Sequence, residues 1–142
     1  MTGQFILDAS VGMRWALRDG SGADRTYADA VLHSLTDAVA WVPALWFTEM
    51  IHVLRCAEDD GKLGESAVTG FVYRLGQLPI QTDPAGPAGI QLAVAAVSRE
   101  FRLSGYDAQY LEFARRRNAP LATLDKDLRK AAVRAGVPVY LA

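Results

Sequence analysis

Short stretches that are apolar without interruption alternate along the chain with longer stretches in which apolar positions recur every three or four residues. The first kind reads as strands buried on both faces, the second as amphipathic helices. Phe5-Ile6-Leu7 opens the series as a strand within Met1–Ser10. Asp8 follows it, and Ser10 is the expected N-cap of a helix over Val11–Arg18, which Asp19-Gly20-Ser21-Gly22 ends. Ala23–Leu35 is a second helix, with Tyr27, Val31 and Leu35 at helical spacing. Ala38–Val42 is a strand, and Pro43 suits the first turn of a helix running to about Asp60. Gly64–Leu75 is a helix expected to be capped by Glu65 or Ser66. Leu78–Gln81 is a short strand whose Pro79 places it at a sheet edge or at its own first residue. After the turn-rich loop Thr82–Gly89 come helices over Ile90–Phe101 and from Ser104 to Asn118, then a strand, Pro120–Leu124. Asp125 caps a helix through Ala135, Gly136 is a left-handed C-cap, and Val137–Leu141 is a last strand. Strands and helices alternate throughout, so the fold class is α/β: a central parallel β-sheet flanked by α-helices, in one domain over residues 1–142.

Composition narrows the classes of function. The chain is 51% hydrophobic and 22% charged, a globular balance with room for a core. Its one cysteine, Cys56, excludes an internal disulfide and a cysteine-based zinc site. His33 and His52 fall in different predicted helices and form no ligand pair. Met1–Ser10 lacks the basic start of a signal peptide, and the apolar run Ala38–Phe47, broken by Pro43, is too short to span a bilayer. A cytoplasmic protein is expected. The net charge of −1 is not that of a cationic nucleic-acid binder, yet Arg99–Arg134 holds nine Lys/Arg against five Asp/Glu. That asymmetry permits a basic face beside an acidic site.

Most charged residues sit on solvated helix faces, but a few acids do not. In open α/β sheets ligands bind outside the carboxyl ends of the strands, and Asp8 stands there. Glu49 falls within an apolar stripe, with Leu45 and Trp46 one turn before it, Val53 one turn after and Cys56 two turns after; Thr48, His52, Arg55 and Asp59 form the polar face. Burying an unpaired carboxylate is costly, so Glu49 is expected to have a cation, a proton or a strong donor, unless it lies at the stripe edge and reaches water or pairs with an arginine. Asp107 lies between the apolar positions Tyr106, Tyr110, Leu111, Phe113 and Ala114, whereas Gln109, Glu112, Arg115 and Arg116 form the polar face. Ser104-x-x-Asp107 also has the shape of a capping box, which accounts for Asp107 without a site. Asp125 follows a strand and precedes a helix, where it serves equally as an N-cap or as a second acid at the sheet edge. Asp127 suits the helix dipole, and Ser10 and Thr123 are hydroxyls in the same neighbourhood. Four carboxylates brought together repel one another, and a hard divalent cation such as Mg²⁺ or Mn²⁺ removes that penalty. The matching chemistry is metal-assisted attack of water on a phosphodiester.

Four stretches in this order, ILDAS with Asp8, PALWFTEM with Glu49, LSGYDAQYLEFA with Asp107 and APLATLDKDL with Asp125, together with the closing AGVPVYL, resemble a PIN-domain ribonuclease, specifically a VapC-type toxin of a type II toxin–antitoxin pair. The resemblance spans nearly the whole chain. It implies a PIN-like fold and an endoribonuclease whose acidic quartet corresponds to Asp8, Glu49, Asp107 and Asp125, with Ser10, Thr123 and Asp127 in support. It implies a Mg²⁺ or Mn²⁺ cofactor, an RNA substrate such as tRNA or rRNA, a homodimer, and inhibition by a VapB-like antitoxin peptide that wraps into the active groove. A PIN domain acting as an RNA-binding or assembly scaffold, or as a processing nuclease without an antitoxin, is the alternative. Asp60–Gly89 matches in pattern only and is where substrate selection would differ. Arg115, Arg116 and Arg117 either contact RNA phosphates or answer the dipole at a helix C-terminus. Trp41 and Trp46 read as core or dimer packing, Cys56 as a small buried residue and His52 as a solvated one.

Overall fold

The computed structural model describes residues 3–142; Met1 and Thr2 of the opening stretch lie outside them. Four parallel strands form one sheet: β1 (Gly3–Leu7), β2 (Ala38–Val42), β3 (Ile80–Thr82) and β4 (Leu121–Ala122). Their order is β3-β2-β1-β4, with Ile6 opposite Trp41 on one side and Leu121 on the other. Phe5, Ile6 and Leu7 are all fully buried, as an uninterrupted apolar run in a sheet covered on both faces requires. The connections are α1 (Ala9–Ala16) with α2 (Gly22–Ser34), then α3 (Leu45–Asp59) with α4 (Glu65–Leu75). Beyond β3 lie a 3₁₀ turn (Pro87–Gly89), α5 (Gln91–Phe101) and α6 (Gly105–Arg117), and α7 (Lys126–Arg134) follows β4. From β1 the chain steps outward through β2 to β3 and then crosses back to place β4 on β1's other side. The strand order therefore reverses between β1 and β4, and the crevice at their carboxyl ends is the ligand position of such sheets.

Several local expectations are corrected. Asp8, in extended conformation, holds the N-cap position of α1, so the helix starts at Ala9 and Ser10 lies inside it. The N-cap of α4 is Gly64, with no bond from Glu65 or Ser66. The helix after Pro43 starts at Leu45, and Pro43 lies before it. Pro79 immediately precedes β3, which is an edge strand as expected. The Pro120–Leu124 strand shortens to two residues, because Thr123 and Leu124 turn into α7. Val137–Leu141 contributes only a bridge between Val139 and Leu121. Gly136 has a φ of +75°, as a left-handed cap needs.

The α3 stripe facing the core is Trp46, Met50, Leu54 and Ala57. Val53 is only half-buried and Cys56 is exposed, its sulfur turned toward His52. Helix α3 sits close to α1 because Gly12 presents no side chain: a Cβ there would stand 2.8 Å from the Trp46 ring. On α6, Tyr106 is 63% exposed rather than part of the apolar arc, and Glu112, expected on the polar face, is only 5% exposed.

Candidate functional site

Each candidate acid reaches the sheet's carboxyl edge by a different route. Asp8 is carried there by β1 and is 5% exposed. Its backbone N–H donates to Ala122 O at 2.9 Å, which fixes it against β4. Its Oδ2 accepts two short bonds, from Ser10 Oγ at 2.6 Å and Thr123 Oγ1 at 2.7 Å. Those hydroxyls in turn accept from the turn after β4, Ser10 from Leu124 N–H and Thr123 from Asp125 N–H. Ser10 and Thr123 are thus the clasp between the two strand ends. Asp125 caps α7 by accepting from Leu128 N–H at 2.8 Å, so the cap and the sheet-edge position belong to the same residue. Asp107 lies in the first turn of α6, where Ser104 Oγ accepts from its N–H at 3.1 Å. That half of the capping box leaves the Asp107 carboxylate free to face the sheet edge. Glu49 flanks the α3 stripe half-buried, and its Oε1 accepts from Tyr110 Oη at 2.8 Å.

The acids feel one another. Burial raises the Asp8 carboxyl above its ordinary value, the Ser10 and Thr123 bonds oppose the rise, and the charges of Glu49 and Asp125 add to it. Asp107 is pushed up to about 6 by burial and by the charges of Asp125, Asp8 and Asp127. Burial also raises Glu49, against the Tyr110 bond, with Asp107 contributing. Burial and the nearby Asp8 and Glu49 charges raise the Tyr110 phenol, which therefore remains a donor. Among the described residues, no lysine, arginine or histidine forms a salt bridge with Asp8, Glu49, Asp107 or Asp125.

An all-oxygen, anionic donor set that lacks an internal counter-charge fits a hard divalent cation. The side chains are not already closed around one: among the described residues, no three His, Cys, Asp or Glu side chains form a ready coordination cluster. Asp127 is exposed on the first turn of α7 and reaches the site only through its charge on Asp107.

The arginine run is not brought to the acids. Arg117 lies 3.4 Å from the Trp41 ring centre and donates to Gln4 Oε1 at 3.1 Å, four residues before Asp8, or about 13 Å along β1. Arg115 pairs with Glu100 at 3.5 Å. Arg116 donates through Nε to both Glu112 oxygens, at 3.0 and 2.9 Å, and through its outer nitrogens to Asp83. Burial alone would raise the Asp83 carboxyl; the Arg116 bond and the Ala85 N–H outweigh it and hold Asp83 below its ordinary value.

Beside the acids runs an apolar groove. A cavity of about 480 Å³ is lined by Leu45, Pro87, Ile90, Val94, Tyr106 and Gln109, among others. A second, of about 430 Å³, shares four of those residues and adds Thr48 and Asp83. Neither is lined by an acid of the quartet, although Leu45 lies one turn before Glu49 and Tyr106 adjoins Asp107.

The PIN domain family matches residues 5–134. The chain belongs to this family. PIN domains are generally nucleases, and they typically use divalent metals. Two solved structures share its fold. PAE2754 from Pyrobaculum aerophilum superposes with a TM-score of 0.66 at 22% identity, over 91% of this chain and 79% of that one. FitAcB from Neisseria gonorrhoeae superposes with a TM-score of 0.62 at 18% identity, over 96% of each chain. Comparison with curated proteins finds none that matches. Among the described residues, no helix of this PIN domain is long and apolar enough to cross a membrane.

Two residues escape the sequence pattern, Tyr110 at the acids and Glu112 away from them. Tyr110 reads there as core, and the one available signal is that a buried phenol needs a partner. Glu112 reads as a solvated acid, although its i,i+4 spacing to Arg116 allows the pair.

Proposed function

We propose that this PIN domain, one domain over residues 1–142, is a metal-dependent endoribonuclease of the VapC toxin type. Asp8, Glu49, Asp107 and Asp125 would hold Mg²⁺ or Mn²⁺, with Asp8 and Asp107 as principal ligands. The observation that carries this reading is that, among the described residues, these four carboxylates, whose charges act on one another, have no salt-bridge partner, and three of them have raised pKa values. The cation supplies neutralisation of phosphoryl charge and a more acidic attacking water. The chain's own residues prepare the place. Ser10 and Thr123 both hold Oδ2 of Asp8 and do not engage Oδ1. Asp125 is held at its cap, and Asp127 adds negative potential at the rim. The substrate class is RNA, with tRNA or rRNA as targets. The protein works as a cytoplasmic homodimer, restrained by a VapB-like antitoxin peptide. The apolar groove beside the acids supports the peptide partner, since its lining suits side chains better than phosphates. The arginine run is already engaged within the chain, which favours a structural role for it over RNA contact.

The test uses total cellular RNA and protein freed of any copurifying peptide. Wild type and Asp8→Asn are compared in Mg²⁺, Mn²⁺ and EDTA, with sequencing of new 5′ ends. Discrete, metal-dependent cuts that Asp8→Asn lacks are expected. A folded, metal-stabilised protein that cuts nothing would turn the reading toward an RNA-binding scaffold; absence of metal stabilisation would overturn the metal centre itself.

A further inference from the structure

We propose that Tyr110 is a positioning residue of the metal site, acting through Glu49; the inference rests on the metal-centre reading above. Tyr110 is 1% exposed, and its ring is packed in the hydrophobic core, so the hydroxyl cannot swing away. That hydroxyl donates to Glu49 Oε1 at 2.8 Å across 61 positions of sequence. The bond crosses from α6 to α3. Asp107 precedes Tyr110 by one helical turn, so both project from the same face of α6. The helix that carries Asp107 therefore also sets where the Glu49 carboxylate points.

The bond engages one oxygen of Glu49, Oε1, and does not engage Oε2, in a carboxylate that feels the charge of Asp107. Asp8 is held in the same way, by hydroxyls on Oδ2 alone. A neutral donor is the chemically suitable choice in both places. An arginine or lysine would orient a carboxylate equally well, but would cancel the charge a cation needs. A buried tyrosine that only filled space would be better replaced by phenylalanine, since its hydroxyl must otherwise find a partner.

The test is a cycle of Tyr110→Phe and Glu49→Gln in the full chain, read by calorimetric titration with Mn²⁺ and by thermal melting in EDTA. Tyr110→Phe removes one oxygen and keeps the ring, so a cooperative melt close to that of wild type is expected. Its Mn²⁺ affinity is expected to fall about tenfold or more, the usual size of an outer-shell effect. In the Glu49→Gln background, Tyr110→Phe should weaken Mn²⁺ binding no further. Unchanged or tighter Mn²⁺ binding by Tyr110→Phe would overturn the proposal, and so would an equal loss in both backgrounds. Wild type that binds no Mn²⁺ would overturn the metal-centre reading and this proposal with it; wild type that binds Mn²⁺ as well as Tyr110→Phe does would overturn this proposal alone.

Discussion

Two groups of carboxylates are wholly or partly withdrawn from water in this PIN domain, and their charges are settled in opposite ways. Glu112 and Asp83, with side chains only 6% and 5% exposed, share the guanidinium of Arg116. Among the described residues, the hydrogen-bond donors to Asp8, Glu49 and Asp125 are hydroxyls and a backbone N–H, and Asp107 has no salt-bridge partner. In the first group the counter-charge is internal, and the ions tie α6 to the loop after β3. In the second the counter-charge is missing, and the folded chain carries the repulsion. Burial of an acid alone does not separate the two groups; the presence or absence of a paired cation does.

The sharpest test of this contrast is to remove charge from each group. Asp8→Asn should lower RNA cleavage by at least about a hundredfold, the equivalent of a few kcal/mol of lost charge stabilisation, while its melting temperature in EDTA stays level or rises. A fall in that temperature would show that the Asp8 charge supports the fold. Arg116→Ala should do the reverse. It strands Glu112 and Asp83 and should cost about 3 kcal/mol, the low end for a broken buried pair because Arg116 itself is partly exposed. For a chain of this length that is roughly 10 °C of melting temperature, with Mn²⁺ affinity of the folded protein unchanged.

A subtler effect comes from Asp107, held at about 6 in the folded chain against 3.8 ordinarily. The folded state then binds this proton more tightly than the unfolded state, so metal-free stability should decline as pH rises from about 4 to 6 and level off above. Denaturant melts in EDTA would show the slope, and Asp107→Asn should reduce it, with Asp8 and Glu49, also raised, keeping the remainder. The smallest effect belongs to Arg115→Ala, whose partner Glu100 is exposed. Stability should change by less than about 1 kcal/mol, and the salt dependence of RNA binding should stay as in wild type. A shallower salt dependence would return the arginine run to the RNA interface.

The centre of the sheet was readable because Phe5–Leu7 is buried on both faces, a demand that an uninterrupted apolar run meets, whereas the edge strand β3 has no fully buried residue. Ser104 and Asp125 were equally readable, since capping is decided within three residues. The α1 start was misplaced by two residues because the Ser10 hydroxyl is spent on Asp8 and on Leu124 N–H, a partner 114 positions away. Distance in sequence also hid the Arg116 cluster. The pair Glu112–Arg116 looks like any solvated helix face until Asp83, 33 positions earlier, folds over it. Tyr110 is the same lesson at the candidate site: an aromatic at helical spacing reads as packing, and its hydroxyl acquires a role only when α3 arrives. Cys56 and Tyr106 were placed inward by periodicity alone, which cannot tell the edge of a stripe from its centre.

Strand β4 links the candidate site to the closing segment of the chain. Only two residues long, it is held on one side by β1, through Ile6 N–H to Pro120 O and Asp8 N–H to Ala122 O. On the other it is held by the closing segment, through Leu121 N–H to Pro138 O and Tyr140 N–H to Leu121 O. Tyr140 also stacks on Phe5, with ring centres 4.0 Å apart, and accepts the Tyr27 hydroxyl on its carbonyl. The strand end that carries Thr123 and Asp125 is therefore held from both sides, and its place beside Asp8 depends on the closing segment, more than ten residues further along the chain.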